Sequence, residues 1–294
     1  MREVEDLARE RSAEWAQGVL PDWVEDARVD DDLRADAYET SPPYRRALLK
    51  TGMALAHAQF GAKGDVARTL RHDVHAGFLL GLSSRPADWC MIFFGPGHRA
   101  AARMTAACVL PRLCGVRQVH AVCLEGLPSA EAMLSFELSG VEDVYSLDAR
   151  MARAFAKGLP GAGRLLFLND GAGTPLPVTP AMLQNIRSWQ EGPPPALFLR
   201  DPHAFDRDDL AFAQGAAPFI DDERAADAIY LSKENAVAAF RDGSPTGLST
   251  ANGGELPPEA LLLTPGCEGF WTYPDLKPDF FTCFARAYAL AGVQ

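Results

Sequence analysis

The sequence contains no long apolar run, and this absence excludes a class of proteins. No stretch of its 294 residues approaches the roughly 20 apolar residues that a membrane-spanning helix needs. The first residues, Met1-Arg-Glu-Val-Glu-Asp6, are too charged for the apolar core of a secretion signal. We therefore expect a cytoplasmic protein with no membrane partner.

Positive charge and cysteine are also scarce. The chain has 28 Lys and Arg residues against 39 Asp and Glu residues, a net charge of -11. This charge opposes binding to a phosphate backbone and excludes nucleic acid as an expected partner.

The 6 cysteines are scattered, and no pair has the short Cys-x-x-Cys spacing of a zinc or redox site. Reduced, buried thiols are the expected state. Gly-x-Ser-x-Gly, His-Glu-x-x-His and Gly-x-x-x-x-Gly-Lys are absent too, so the common hydrolase, metalloprotease and phosphate-loop motifs are excluded.

What the sequence does have is alternation between apolar strands and helices. The run Trp89-Cys-Met-Ile-Phe-Phe94 is apolar on both faces and is followed by Gly95-Pro-Gly97, which predicts a buried parallel strand. Three further strands are predicted at residues 116–124, 141–147 and 165–168. Helices are predicted between them, two of them capped by Ser129 and Asp148. This order predicts an α/β fold with a parallel sheet.

The domain prediction divides the chain into a helical N-terminal arm (1–60), a first Rossmann-like lobe (61–190) and a second, smaller α/β lobe (191–294). Gly192-Pro-Pro-Pro195 marks the second boundary. A helix is predicted from Thr179-Pro180 through Ile186 and Trp189. In the second lobe we predict strands at 196–199, 228–231 and 260–263, helices at 208–214 and 233–240, and a final helix at 279–290. That last helix carries Phe281, Phe284 and Tyr288 as core or oligomer-interface residues.

The loop Gly95-Pro-Gly-His98 is the first candidate site. It follows a predicted strand and precedes a helix, where a pyrophosphate can meet free backbone amides. Ala100 stands where the third glycine of Gly-x-Gly-x-x-Gly would be, and Arg99 and Arg103 could reach a phosphate. A structural turn is the alternative interpretation. The loop Pro265-Gly-Cys-Glu-Gly269 is the second candidate, since a Cys267 thiolate could attack an aldehyde; a turn cysteine is again the alternative.

Four segments resemble histidinol dehydrogenases, over about half of the chain. Residues 81–97, with 110–116, resemble the family's nucleotide-binding half; residues 139–158 resemble a later strand and helix; residues 192–201 resemble the strand that opens its second domain. The resemblance implies an aldehyde dehydrogenase-like fold with two Rossmann-like lobes and a homodimer. It also implies oxidation of an amino alcohol by NAD, with a zinc ion holding the substrate.

The resemblance also assigns site positions. The family's zinc motif falls on Gln214-Gly-Ala-Ala217, which keeps the glutamine but has alanine where the histidine ligand stands, and an Asp ligand is matched by Asp279. The catalytic Glu-His pair falls on Glu259-Ala260, which keeps the acid and loses the imidazole. The expected cofactor-binding positions are Phe94, Gly95, Gly97, His98, Arg150 and Asn169.

Three hypotheses follow. The leading one is a histidinol dehydrogenase-like pseudoenzyme that has lost zinc chemistry and binds a small molecule or nucleotide, with NAD as the candidate cofactor and no zinc expected. The second is a metal-free NAD(P)-dependent oxidoreductase acting on an alcohol or aldehyde through Cys267 or Glu259. The third is a dimeric assembly protein that uses the aromatic C-terminal helix.

Overall fold

The computed structural model describes residues 20–61, 66–73, 77–169, 185–241 and 260–290. The helices in this part of the chain are α1 (Asp22–Glu25), α2 (Asp31–Thr40), α3 (Pro43–Phe60), α4 (Ala101–Leu113), α5 (Ala130–Ser139), α6 (Ala149–Gly158), α7 (Arg207–Gln214) and α8 (Lys233–Arg241). The strands are β1 (Ala67–Asp73), β2 (Phe78–Pro86), β3 (Trp89–Phe94), β4 (Gln118–Leu124), β5 (Asp143–Leu147), β6 (Gly163–Phe167), β7 (Ile186–Gln190), β8 (Leu197–Leu199), β9 (Ala228–Tyr230), β10 (Leu261–Leu263) and β11 (Thr282–Leu290).

A parallel sheet of five strands, in the order β5-β4-β3-β6-β7, forms the larger core. All six residues of β3 are buried, as the apolar run predicts. The predicted helix caps are confirmed: the side chain of Ser129 accepts a hydrogen bond from the Ala132 amide, and that of Asp148 accepts one from the Met151 amide. The prediction of an α/β fold with a parallel sheet is therefore confirmed.

A smaller parallel sheet, in the order β10-β9-β8, is built from the second half of the chain. The three predicted strands of this sheet and the predicted helices 208–214 and 233–240 are confirmed to within two residues at each end. Helix α7 packs against α4, so the two parallel sheets are joined through a helix pair. No helix within the described residues is long and apolar enough to cross a membrane.

The N-terminal helices lie on the body of the molecule. Helix α2 packs on α5 and α3 packs on α4, with Leu49 fully buried. The buried guanidinium of Arg34 donates a hydrogen bond to the carbonyl oxygen of Val141 at 3.2 Å. Gly52 and Gly269 touch through their backbones, because a Cβ on Gly52 would lie 2.0 Å from the carbonyl oxygen of Gly269. Helix α3 is thus fixed against both halves of the chain.

Two helix predictions are wrong. Residues 279–290 form the end of a 3-10 turn (Pro278–Phe281) and strand β11, which pairs antiparallel with β2 in a third sheet of order β1-β2-β11. Phe281, Phe284 and Tyr288 have helical spacing, but residues 284–290 also alternate large and small side chains, which is the period of a strand. Ile186 and Trp189 lie in β7 instead of a helix, and residues 179–184 lie outside the described residues.

Candidate ligand-binding cleft

The order of the five-stranded sheet defines where a ligand crevice can form. From β3 the chain moves outward through β4 to β5, and then β6 adds on the other side of β3. The connections after β3 and β6 therefore leave the sheet in opposite directions at the carboxyl ends of these strands. In open parallel sheets, ligands bind outside such a switch point.

A cleft with a volume of about 520 Å³ lies at this point. Its walls come from the loops after β3, β6 and β7, the first turn of α4, and the facing helices α3, α5 and α7. The lining residues are Arg45, Gly97, His98, Arg99, Ala100, Arg103, Glu131, Asn169, Pro194, Asp208, Ala211, Phe212, Gly215 and Ala216. The volume is in the range typical of small-molecule sites.

The N-terminus of α4 opens into the cleft without a side-chain cap. Ala100 occupies the cap position and provides no acceptor, and the first turn of α4 has no acidic residue. The first backbone N–H groups of a helix have no partner within the helix, and here no cap side chain satisfies them at the positive end of the helix dipole. Helices α5 and α6, in contrast, are capped by Ser129 and Asp148. The exposed Arg99 adds a positive charge at the same end of α4.

His98 is the second unusual feature of the cleft. Its side chain is buried, with the residue only 2% exposed, and neither ring nitrogen has a hydrogen-bond partner among the described residues. Burial, together with the nearby charge of Arg103, lowers the pKa of His98 to about 3. The imidazole is therefore neutral at pH 7 and has one donor and one acceptor without partners. A buried polar group of this kind is costly unless something else binds it.

A buried ion pair supports the floor of the cleft. Arg103 donates through Nε to Oε1 of Glu191 at 2.7 Å and through Nη2 to the carbonyl oxygen of Asn169 at 3.1 Å. The other carboxylate oxygen of Glu191, Oε2, accepts a hydrogen bond from the backbone amide of Asn169 at 2.7 Å. Tyr273 donates its hydroxyl to the Arg103 carbonyl oxygen at 2.8 Å. Arg103, which the sequence suggests as a phosphate contact, is instead engaged in fixing Asn169.

The structure brings together only some of the predicted cofactor positions. Gly97, His98 and Asn169 line the cleft. Phe94 does not: its ring is fully buried beneath the loop and packs on Phe136 at a centroid distance of 5.6 Å. Gly95 is also buried, and its carbonyl oxygen accepts a hydrogen bond from the His98 amide. Arg150 is exposed at the start of α6, which follows β5, two strands away from β3.

The two positions matched to zinc ligands lie far apart. Gln214 is fully buried at the end of α7, next to Gly215 of the cleft. Asp279 is exposed in the 3-10 turn Pro278–Phe281. This turn lies at the amino end of β3, because the Phe281 carbonyl oxygen accepts a hydrogen bond from the Ala87 amide. Six residues of strand separate the two ends of β3 by about 20 Å. Within the described residues, no three His, Cys, Asp or Glu side chains gather as a metal site, so these residues do not fit the zinc ion that the resemblance implies.

Of the two candidate catalytic residues, only Cys267 lies in the described part of the chain. Glu259 lies outside the described residues. Cys267 is half-buried in the turn after β10, where its amide donates to the Thr264 carbonyl at 2.9 Å, and it does not line the cleft. Its neighbour Glu268 is buried and accepts the Gly266 amide at 2.7 Å, and burial raises the pKa of the Glu268 carboxyl.

Arg45 is a cleft residue that the sequence interpretation missed. It lies in the first turn of α3, where its Nε donates to Asp209 of α7 at 3.2 Å and its guanidinium covers the ring of Phe212 at 4.9 Å. One signal in the sequence could have identified it. A cation in the first turn of a helix that has no acidic residue there is unfavourable for the helix, and such a placement indicates another role.

Neither a protein-family model nor a curated protein sequence matches this chain. Among solved structures, histidinol dehydrogenase from Elizabethkingia anophelis aligns over 98% of this chain and 84% of its own, with 10% identity and a TM-score of 0.50. The chain has a fold similar to that of histidinol dehydrogenase.

Weaker similarities extend to a lactaldehyde dehydrogenase and to a protein named PnpE. Lactaldehyde dehydrogenase from Escherichia coli aligns over 81% of this chain and 53% of its own, with 14% identity and a TM-score of 0.28. PnpE, solved in complex with nicotinamide adenine dinucleotide, aligns over 88% of this chain and 51% of its own, with 16% identity and a TM-score of 0.34. The chain spans about half the length of these two proteins, and neither match carries a functional argument.

Proposed function

We propose that this protein binds a phosphate-bearing small molecule, with a nucleotide such as NAD as the first candidate, in the cleft at the carboxyl ends of β3 and β6. It does so as a divergent, histidinol dehydrogenase-like protein of two Rossmann-like lobes that does not use the family's zinc chemistry. The observation that carries the proposal is the uncapped N-terminus of α4 beside an imidazole with two unpaired nitrogens.

The chemistry of a phosphate group suits this arrangement. Backbone N–H groups at the end of α4 donate to phosphate oxygens, and the helix dipole favours their negative charge. Arg99 adds a charge-assisted contact, and the neutral His98 ring donates one further hydrogen bond. NAD would supply a hydride acceptor if it binds there; the residues of this chain bind and orient its phosphates and exclude water.

The loss of zinc chemistry is supported by two observations. Ala217 is buried and has only a methyl group, which cannot coordinate a metal ion, and Asp279 lies at the opposite edge of the sheet from Gln214. The alternative of a metal-free oxidoreductase that uses a cysteine has no support from the cleft, since Cys267 does not line it.

The test of this proposal is a thermal-shift screen with NAD, NADP, ADP and inorganic pyrophosphate, together with elemental analysis for zinc. Ligands that bind only the native state raise its melting temperature. We expect a saturable shift with at least one nucleotide and no stoichiometric zinc. Failure of all four probes to shift the melting temperature, or zinc at one ion per chain, would contradict the proposal.

Two variants of the helix cap are the matched controls. In Ala100→Asp the new carboxylate can cap the α4 amides and repel a phosphate, whereas Ala100→Ser can cap them without a charge. We expect Ala100→Asp to abolish the nucleotide-dependent shift while the ligand-free protein still melts cooperatively, with Ala100→Ser intermediate in binding. Loss of binding with retained stability separates a blocked site from a misfolded chain. Undiminished binding by Ala100→Asp would place the ligand elsewhere.

A homodimer is proposed as the assembly state, because the β1-β2-β11 sheet leaves apolar side chains exposed on it. Tyr288 and Leu290 are 74% and 78% exposed, and Phe78, Leu82 and Phe284 are also exposed on that face. The opposite face carries a groove of about 380 Å³ beside Gly81, Ala285 and Ala287. Light scattering is expected to give twice the chain mass, and Tyr288→Lys to give monomers. A native protein that is monomeric at micromolar concentration would contradict this.

A further inference from the structure

The cleft has a second cationic end, opposite the N-terminus of α4. Arg45 lines this end from α3, and its side chain is 26% exposed. Asp209 accepts the hydrogen bond from Nε, and the rest of the guanidinium stays partly exposed at the cleft. The planar fork of an arginine suits two-point binding of a carboxylate or phosphate.

The orientation of Arg45 is fixed before any ligand arrives. Asp209 holds Nε from the first turn of α7, where an acidic side chain is favourable, and the ring of Phe212 supports the plane of the guanidinium at 4.9 Å. Phe212 itself lines the cleft. Pre-orientation reduces the entropy lost when a ligand binds to the free side of the fork.

We infer that the cleft recognises a ligand with two acidic ends: a phosphate group at the N-terminus of α4, beside the unpaired and buried His98, and a carboxylate or second phosphate at Arg45. This inference rests on the proposed function and adds the ligand class to it. Two carboxylates at the cleft, Glu131 and Asp208, oppose the binding of acidic groups elsewhere along its wall. They therefore favour a neutral, hydroxyl-bearing middle between the two acidic ends.

Matched pairs of compounds test the inference. Each pair consists of a phosphorylated hydroxy acid and the phosphorylated alcohol that carries a CH₂OH group in place of the carboxylate, in a series of increasing chain length; 3-phosphoglycerate and glycerol 3-phosphate form one such pair. Calorimetric titration of the native protein is expected to show about tenfold tighter binding of the acid member for at least one length, since a charge-assisted, two-point contact is gained.

Variants at Arg45 assign the effect. In Arg45→Met the preference for the acid member is expected to vanish while binding of the alcohol member is unchanged, and Arg45→Lys is expected to keep a reduced preference. Arg46→Met is the control, because Arg46 packs on Tyr38 at 4.5 Å and does not line the cleft. If Arg45→Met does not fold, the Arg45→Lys variant still decides the question, because Lys cannot reproduce the two-point contact.

The outcomes separate this inference from the proposed function. If both members of every pair bind equally, the phosphate site stands and the role of Arg45 is contradicted. If no phosphate ester and no nucleotide binds at all, the proposed function fails. A preference for the acid member that persists in Arg45→Met also overturns the inference, since the second acidic group is then bound elsewhere.

Discussion

Replacing Arg103 with methionine is expected to lower the free energy of unfolding by about 3–5 kcal/mol, because it leaves the carboxylate of Glu191 buried without a counter-charge. The side chains of Arg103 and Glu191 are only 4% and 6% exposed, with Nη2 and Oε1 2.5 Å apart. Burial already raises the pKa of Glu191, and the neighbouring Arg103 and the Asn169 amide act in the opposite direction. Urea denaturation at pH 7 measures the change.

The double variant Arg103→Met with Glu191→Gln is the control for this prediction. It removes both charges, while the glutamine keeps an oxygen that can accept the Asn169 amide. The double variant leaves no unpaired charge in the interior. We therefore expect it to recover most of the free energy of unfolding that the single variant loses. A single variant that costs less than about 1 kcal/mol, or a double variant no better than the single one, would contradict the buried-pair interpretation.

Acidification is expected to destabilise the protein through His98. The pKa of His98 is lowered to about 3 in the folded chain, against an ordinary value of 6.5, so between these pH values the unfolded chain binds the extra proton. The stability is therefore complete above about pH 6.5 and falls as the pH decreases toward 3. For this one group, linkage gives a loss of about 2 kcal/mol between pH 7 and pH 5.

Other groups also titrate in this range, and a variant isolates His98. The pKa of buried His120 is lowered by burial, which adds to the acid loss, whereas the raised pKa values of Glu191 and Glu268 act against it. His98→Gln keeps a neutral, polar side chain. We expect its loss of stability between pH 7 and pH 5 to be smaller than that of the native protein by about 2 kcal/mol. Equal losses in the two proteins would show that His98 is accessible to protons.

The parallel sheets were predictable because their signals are local. Buried strands such as Trp89–Phe94 are apolar at every position, and Ser129 and Asp148 cap helices with side chains that the sequence displays directly. Strand β11 was mispredicted because Phe281, Phe284 and Tyr288 satisfy a helical spacing while the partner that decides the outcome, β2, lies about 200 residues earlier. No local pattern reports such a pairing.

The candidate site was predictable only in part, for a similar reason. Gly97, His98 and Asn169 follow strands and could be assigned to the carboxyl edge of a sheet. Arg45 belongs to a helix far away in sequence, and the capture of Arg103 by Glu191 depends on a contact across 88 residues. Tertiary packing decides which arginine stays partly exposed in the cleft and which is buried in an ion pair.

The central claim is that a phosphate binds between the N-terminus of α4 and His98. Its most direct test is a titration of protein labelled with ¹⁵N-histidine, with NAD and with inorganic pyrophosphate as the probes, and with the His98 ring signals assigned by their loss in His98→Gln. We expect saturable movement of the His98 ring signals in the native protein and none in Ala100→Asp. Saturable binding of either probe that leaves the His98 signals in place, or no binding of either, would contradict the account.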